Sequence, residues 1–239
     1  YYYENEPVLR DFCLQVKKGQ TVALVGETGS GKSTIVNLLC RFYEPCSGRI
    51  LMDGKNLRER SVGWLHSHIG YVLQTPNLFS GTIRDNIRYG RRDASDEEVE
   101  QVARLIQAHD FISRMEKGYD TEVGEGGDRL STGQKQLISF ARAMLCDPAI
   151  VILDEATSSI DTESEKAIQY AMDQLLHGRT SFVVAHRLST IVSADIIVVL
   201  QHGVIIEQGT HEELMAKQGY YYELFTSQYR QERIQRCME

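Results

Sequence analysis

The sequence lacks the features that mark membrane-spanning, secreted and metal-clustering proteins. No apolar run reaches the roughly 18–20 residues that a transmembrane helix needs, and no secretory signal peptide opens the chain. We find no internal repeats and no low-complexity segment. The five cysteines show neither metal-ligand nor Cys-x-x-Cys spacing, which predicts reduced thiols in a cytosolic compartment. They are Cys13, Cys40, Cys46, Cys146 and Cys237.

Basic charge is also scarce. The 26 lysines and arginines are outnumbered by 33 aspartates and glutamates, which gives a net charge of −7. This balance argues against nucleic acid as the main partner. The length of 239 residues allows one sizeable domain or two small lobes, and a 42% hydrophobic content is that of an ordinary globular chain. Because the chain opens on Tyr1-Tyr2-Tyr3 rather than on Met, we expect it to be a piece of a longer polypeptide.

One glycine-rich stretch, Gly26 to Thr34, organises the rest of the chain. It reads G-x-x-x-x-G-K-[ST] and lies between an apolar strand pattern over 21–25 and a helical pattern over 35–42. Glycines let backbone N–H groups converge on an anion, and a helix start adds positive partial charge. Lys32 can reach terminal phosphates, and the Ser33 hydroxyl can bind Mg²⁺. The predicted phosphate-binding residues are Glu27, Thr28, Gly29, Ser30, Gly31, Lys32, Ser33 and Thr34.

Strands and helices alternate through much of the chain. Phe12, Leu14 and Val16 alternate with polar residues and predict a half-buried strand. Apolar runs over 69–73, 150–153 and 181–185 predict buried strands, and 196–207 predicts a hairpin around His202-Gly203. Capping boxes predict three helix starts, at Ser95 with Glu98, Ser131 with Gln134, and Thr210 with Glu213.

The stretch from about 76 to 146 has a different, helical character. We therefore predict an α/β core over 1–75 and 147–239, interrupted by a helical lobe over 76–146.

Several polar residues follow predicted strands or open a helix. Asp154 and Glu155 end an apolar strand, where Asp154 can hold Mg²⁺ and Glu155 can deprotonate or orient an attacking water. Gln74 and His186 each follow a strand and can hydrogen-bond a γ-phosphate or its water. Ser131 opens a helix, which is a second potential anion site as well as an ordinary helix cap.

Taken in order, these motifs resemble the nucleotide-binding domain of ATP-binding cassette (ABC) transporters. The match covers essentially the whole chain. It consists of Walker A at Gly26–Thr34, the Q-loop Gln74, the signature at Leu130–Gln134, Walker B at Ile150–Glu155, the D-loop at Ser158–Asp161 and the switch His186. The resemblance implies a P-loop NTPase fold: a RecA-like α/β core with an antiparallel β subdomain and an inserted α-helical subdomain.

The resemblance also implies a function: ATP binding and hydrolysis that drives transport through ATP-induced pairing of two such domains. Its implied partners are a second nucleotide-binding domain and a transmembrane domain of the same parent chain, at the cytoplasmic face of the cell membrane. The implied catalytic residues are Glu155, His186, Lys32 and Gln74, and the implied Mg²⁺ ligands are Ser33, Gln74 and Asp154. Beyond the Walker A residues, the implied ATP contacts are Tyr1, Gln74, Ser131, Gly133, Gln134, Asp161 and His186. Tyr2 or Tyr3 is an alternative to Tyr1 for stacking on adenine.

Segments 78–87, 121–125 and 204–214 are similar to those of exporters. Thr132 departs from the family signature, which carries a second glycine there, and we expect a working or mildly weakened signature. The alternatives are an importer or lipid-trafficking ATPase of the same superfamily, a soluble cassette protein acting on DNA or translation, and a non-hydrolysing regulatory domain. Homodimer and heterodimer both remain open, and the transported substrate is not encoded in these residues.

Overall fold

The structure is a computed structural model that describes residues 7–154, 162–185, 187–227 and 229. The chain folds into two compact units. The first comprises Tyr1–Val62 with Ser181–Glu239, and the second comprises Gly63–Thr180. The predicted lobe boundaries near 76 and 146 stay a prediction.

Regular elements alternate along the described part of the chain. Its strands are β1 Thr21–Val25, β2 Leu51–Met52, β3 Lys55–Asn56, β4 Ile69–Val72, β5 Ile150–Asp154, β6 Thr180–Val184, β7 Ile196–Gln201 and β8 Val204–Gly209. Its α-helices are α1 Lys32–Leu39, α2 Val62–His66, α3 Ile83–Arg88, α4 Asp96–Leu105, α5 His109–Ser113, α6 Thr132–Leu145, α7 Thr162–Leu176, α8 Leu188–Val192 and α9 His211–Lys217. Residues 220–227 are also helical.

The first unit is built around β1. This strand pairs in parallel with β6 on one side and β7 on the other, and β7 pairs antiparallel with β8. Val22, Ala23 and Leu24 are fully buried, as expected for an apolar strand with neighbours on both sides. A separate two-stranded antiparallel hairpin, β2–β3, turns at Asp53-Gly54. The glycine-rich stretch therefore begins at the carboxyl end of a buried strand that is paired on both sides.

The second unit combines the parallel pair β4–β5 with a group of helices packed around α6. The core positions of α6 include Leu137, Ile138, Phe140 and Ala141, which recur at helical spacing. Residues 121–123 run alongside the start of α3, because Ile83 N–H donates to Thr121 O and Val123 N–H donates to Gly81 O. Among the described helices, none has both the length and the apolar composition that crossing a membrane requires.

Helix starts are where sequence and structure agree most closely. All three predicted capping boxes form, at Ser95, Ser131 and Thr210, each with reciprocal bonds to the residue three positions later. A fourth, Thr82 with Asp85, begins α3 and was not predicted. The predicted 196–207 hairpin is confirmed.

Two predictions are wrong. No strand forms at Phe12–Val16, although the expected alternation of half-buried and exposed side chains is present. Alternation needs only an extended chain lying on a surface, whereas a strand also needs a hydrogen-bonded neighbour. The predicted helical face through Phe42 also fails. Helix α1 ends at Leu39, Arg41 adopts a φ of 56°, and Phe42 is 53% exposed.

Candidate nucleotide-binding site

Residues of the loop between β1 and α1 surround the side-chain ammonium of Lys32. The Lys32 Nζ donates to Gly26 O at 2.7 Å and to Glu27 O at 2.8 Å, and it lies 3.4 Å from Ser30 Oγ. Lys32 is only 8% exposed and Ser30 only 5%. The ammonium group is thus held inside the ring of loop residues, where a bound anion would meet a fixed positive charge.

Two glycines permit this loop geometry. Gly26 has a φ of 152°, and an added Cβ would lie 2.3 Å from Leu200 O, so no larger residue fits there. Gly31 caps α1 in the left-handed conformation, with φ 108°, and no side chain caps the helix start. No cap side chain therefore competes for the first N–H groups of α1, and their partial positive charge suits a phosphate.

The turn between β7 and β8 is hydrogen-bonded to the loop between β1 and α1. Gly203 N–H donates to Ser30 O at 3.0 Å, and Gly203 O accepts from Arg10 N–H at 3.0 Å. The side chain of Leu9 lies 2.8 Å from where a Cβ on Gly31 would be. This support comes from about 170 positions further along the chain, and sequence reasoning missed it. The only signal was the His202-Gly203 turn, which predicts a hairpin but not what the hairpin touches.

We expect Gly203→Ala to destabilise the protein by about 2 kcal/mol or more, because it combines a left-handed residue with a backbone collision. An added Cβ would lie 1.7 Å from Val8 O, and Gly203 has a φ of 79°. The matched control is Gly48→Ala, since Gly48 has a φ of 80° but no heavy atom within 4 Å of an added Cβ. Comparing the free energy of unfolding of the two variants, measured by denaturant, separates the cost of the collision from the cost of the left-handed backbone. Equal losses would show that the turn does not press on residue 8.

The second predicted anion site begins α6. Ser131 Oγ accepts from Gln134 N–H at 3.2 Å, and Gln134 Oε1 accepts from Ser131 N–H at 3.0 Å. Ser131 and Thr132 are exposed, whereas Gly133 is buried. Thr132 therefore does not disturb the helix start, and the surface around Ser131 is open to a ligand.

The remaining predicted residues are spread over both units or lie outside the description. Gln74 is exposed and follows β4, and Asp154 is half-buried at the carboxyl end of β5. Both belong to the second unit, whereas Ser33 and Thr34 belong to the first. Ser33 is exposed within the stretch Gly26 to Thr34, which we call the phosphate loop. The predicted residues Tyr1, Glu155, Asp161 and His186 lie outside the described residues.

Comparison with known protein families supplies the identification. A family described as ABC transporter matches residues 9–158. This chain belongs to the ABC transporter family. The matched range contains the phosphate loop, Gln74, the Ser131 helix start and Asp154.

Two relatives and one solved structure that resemble this ABC transporter domain belong to the same family. The ABC transporter ATP-binding protein YfiC of Bacillus subtilis is 52% identical over 228 residues, and a Staphylococcus aureus protein named as a multidrug export ATP-binding/permease protein is 54% identical over 228 residues. Each alignment covers 95% of this chain, but only 38% and 39% of the respective relative. The solved structure of a bacterial Atm1-family ABC exporter with ATP bound has a TM-score of 0.88 and 43% identity, over 95% of this chain and 40% of that one. The chain thus spans about two fifths of these relatives.

Proposed function

We propose that this chain is the nucleotide-binding domain of an ABC exporter, and that it binds and hydrolyses ATP to drive transport. The observation that carries the proposal is the phosphate loop, with its buried Lys32 Nζ and its uncapped α1 helix start. The Atm1-family exporter, which aligns over nearly the whole chain, was solved with ATP bound. Measuring ATP binding and phosphate release by the chain tests the proposal directly.

The donor set fits ATP with Mg²⁺. The loop presents backbone N–H groups and one ammonium to the phosphates, and the Ser33 hydroxyl is a hard oxygen ligand of the kind Mg²⁺ prefers. We propose that Ser33, Gln74 and Asp154 hold the metal. When bound, Mg²⁺ neutralises charge on the phosphate oxygens.

We propose that hydrolysis requires two copies of this fold. The chain carries two helix starts suited to anions, at Gly31 and at Ser131, in different compact units. In the proposed pair, Lys32 of one copy and Ser131 of the other contact the same ATP. ATP then links the two copies, and its hydrolysis removes that link.

We propose that four residues carry the chemistry: Glu155, His186, Lys32 and Gln74. Glu155 accepts a proton from the attacking water, and His186 donates a hydrogen bond to the γ-phosphate. Lys32 and Gln74 stabilise the charge that spreads over the transferred phosphoryl group. Tyr1 stacks on adenine, and Asp161 lines the contact between the two copies.

The transmembrane partner is proposed from the relatives and from one surface. Buried Asn86 accepts from Phe79 N–H and from Arg142 Nη2, both at 2.9 Å, and donates to Phe79 O and Thr82 O. The Arg142 guanidinium lies 5.0 Å from the Phe79 ring centre and 5.7 Å from that of Tyr89. Phe79 and Tyr89 are held rigidly yet stay about half exposed. We propose that membrane helices of the parent chain dock on these rings, at the cytoplasmic face of the membrane.

We expect Ser131→Asp to abolish ATP hydrolysis while leaving ATP binding by a single copy intact. Asp is as good a helix cap as Ser, so α6 keeps its start, but its carboxylate repels the phosphates brought by the second copy. Ser113→Asp is the control, since Ser113 is exposed on α5 of the same unit. Phosphate release and ATP titration are measured on both. If Ser131→Asp also loses binding in the monomer, Ser131 and Lys32 serve one nucleotide within one chain.

A further inference from the structure

The guanidinium of Arg142, on α6, joins two segments of the second unit. Its Nη1 donates to Asn77 O at 3.1 Å, and its Nε and Nη2 donate to Asn86 O and Asn86 Oδ1, each at 2.9 Å. Because a guanidinium is planar and its donors point in fixed directions, it makes all three bonds only when both partner residues hold their positions. Asn86 lies on α3 and is 1% exposed, so it is a fixed point relative to which Arg142 holds Asn77.

The chain before Asn77 shows what this contact fixes. Strand β4 ends at Val72, which pairs with Leu153 of β5. Residues 73–76, which we call the arch, follow without helix or strand structure. The arch is therefore held at one end by the β4–β5 pair and at the other by the bond from Arg142 to Asn77 O. Gln74 lies within it and is exposed.

The arch is short and its second half is stiff. Pro76 has a ring-locked φ, and it also restricts the backbone of Thr75 before it. A displacement of Asn77 is therefore passed to Gln74, since few free dihedral angles lie between them. Strand β5 ends at Asp154, so Gln74 and Asp154 follow the same end of one parallel pair. The position of Asn77 thus affects whether these two side chains can reach one metal ion.

We propose that Arg142 is a positioning residue for ATP hydrolysis, and that its bond to Asn77 O holds the arch so that Gln74 reaches Mg²⁺ and the γ-phosphate. The inference rests on the proposed function, in which Gln74 is a metal ligand and stabilises the transferred phosphoryl group. It gives a part in the reaction to a side chain that lies outside the nucleotide motifs of the sequence.

Arg142→Lys tests the proposal in the 239-residue chain, because lysine keeps the charge but lacks the planar fork that reaches Asn77 and Asn86 together. We expect phosphate release to slow by about tenfold, since misplacing a group by 1 Å can cost about a hundredfold. The second measurement is the gain in affinity for a non-hydrolysable ATP analogue that Mg²⁺ produces. We expect this gain to shrink several-fold.

A double-mutant cycle connects these losses to Gln74. In the Gln74→Ala background, Arg142→Lys has no further effect on phosphate release or on the gain from Mg²⁺, because the side chain to be positioned is gone. The control is Arg104→Lys, since Arg104 is exposed on α4 of the same unit. It leaves both measurements unchanged.

Pro76→Gly tests the arch without altering Arg142. Glycine frees the backbone at position 76, so Gln74 is no longer tied to the position of Asn77. We expect losses in the same two measurements, and again none in the Gln74→Ala background. This variant decides the question if melting curves show that Arg142→Lys does not fold. Normal phosphate release and a normal gain from Mg²⁺ in Pro76→Gly would refute the proposal.

The outcomes separate the inference from the function beneath it. If the unmodified chain neither binds nor hydrolyses ATP, the proposed function fails and the inference fails with it. If the chain hydrolyses ATP but Arg142→Lys slows it equally with Gln74 and with Ala at that position, the positioning role alone is refuted. A purely structural role, which also refutes it, lowers the melting temperature and leaves the gain from Mg²⁺ unchanged.

Discussion

Replacing Lys32 with alanine is expected to weaken ATP binding by at least about a hundredfold, since a hydrogen bond to a charged group contributes roughly 1.5–3 kcal/mol and an ammonium can donate more than one to the phosphates. Its ammonium is the only charged donor held inside the described part of the phosphate loop. No neighbouring lysine can replace it, because the group is buried against Gly26 O and Glu27 O. ATP titration measures the loss.

The matched control for Lys32→Ala is Lys55→Ala, since Lys55 is an exposed lysine of β3 in the same unit. It should leave ATP affinity unchanged. Lys32→Ala also removes two donor bonds inside the loop, for a stability loss of about 1 kcal/mol each. Melting curves therefore accompany the titration. Micromolar ATP binding by a folded Lys32→Ala protein would contradict the phosphate-site assignment.

Replacing Glu155 with glutamine is expected to reduce ATP turnover by about 10²–10⁴-fold, the usual contribution of a general base. Glutamine keeps the size of the side chain but cannot accept the proton of the attacking water. ATP should still bind and bring two copies together, so the uncleaved nucleotide traps the pair. Gel filtration with ATP and Mg²⁺ should then show a dimer, and a phosphate-release assay should show almost no product.

Glu59→Gln is the control for the base, since Glu59 is exposed and remote in sequence from the motifs of the site. It should leave both turnover and association state unchanged. A Glu155→Gln protein with normal turnover would place the base elsewhere. A Glu155→Gln protein that neither hydrolyses ATP nor forms a dimer when ATP is added would refute the ATP-linked pair rather than the role of Glu155.

The helix starts show how far local sequence reaches. Ser95, Ser131 and Thr210 were each predicted to begin a helix, and each does, because a capping box joins residues only three positions apart. The phosphate loop is equally local: its glycines, its Lys32 and the start of the helix that follows lie within nine consecutive residues. Such features depend on residues only a few positions apart, so they can be recognised from the sequence.

The two wrong predictions concern whether a strand pairs and where a helix ends. Phe12–Val16 has the alternation of a strand but is no strand, because pairing depends on a partner segment that periodicity does not reveal. Phe42 continues the helical spacing of α1 but lies beyond its end, because Arg41 turns the chain through a left-handed conformation. Side-chain type at one position predicts neither event.

The sequence by itself determined that this chain carries an ordered set of nucleotide motifs, and hence the family to which it belongs. Only the tertiary structure decided what supports the phosphate loop: the turn at Gly203, whose N–H donates to Ser30 O. The reason is distance along the chain. Each motif is a short run of residues that can be recognised locally, whereas the supporting contact joins segments about 170 residues apart and exists only once the sheet has formed.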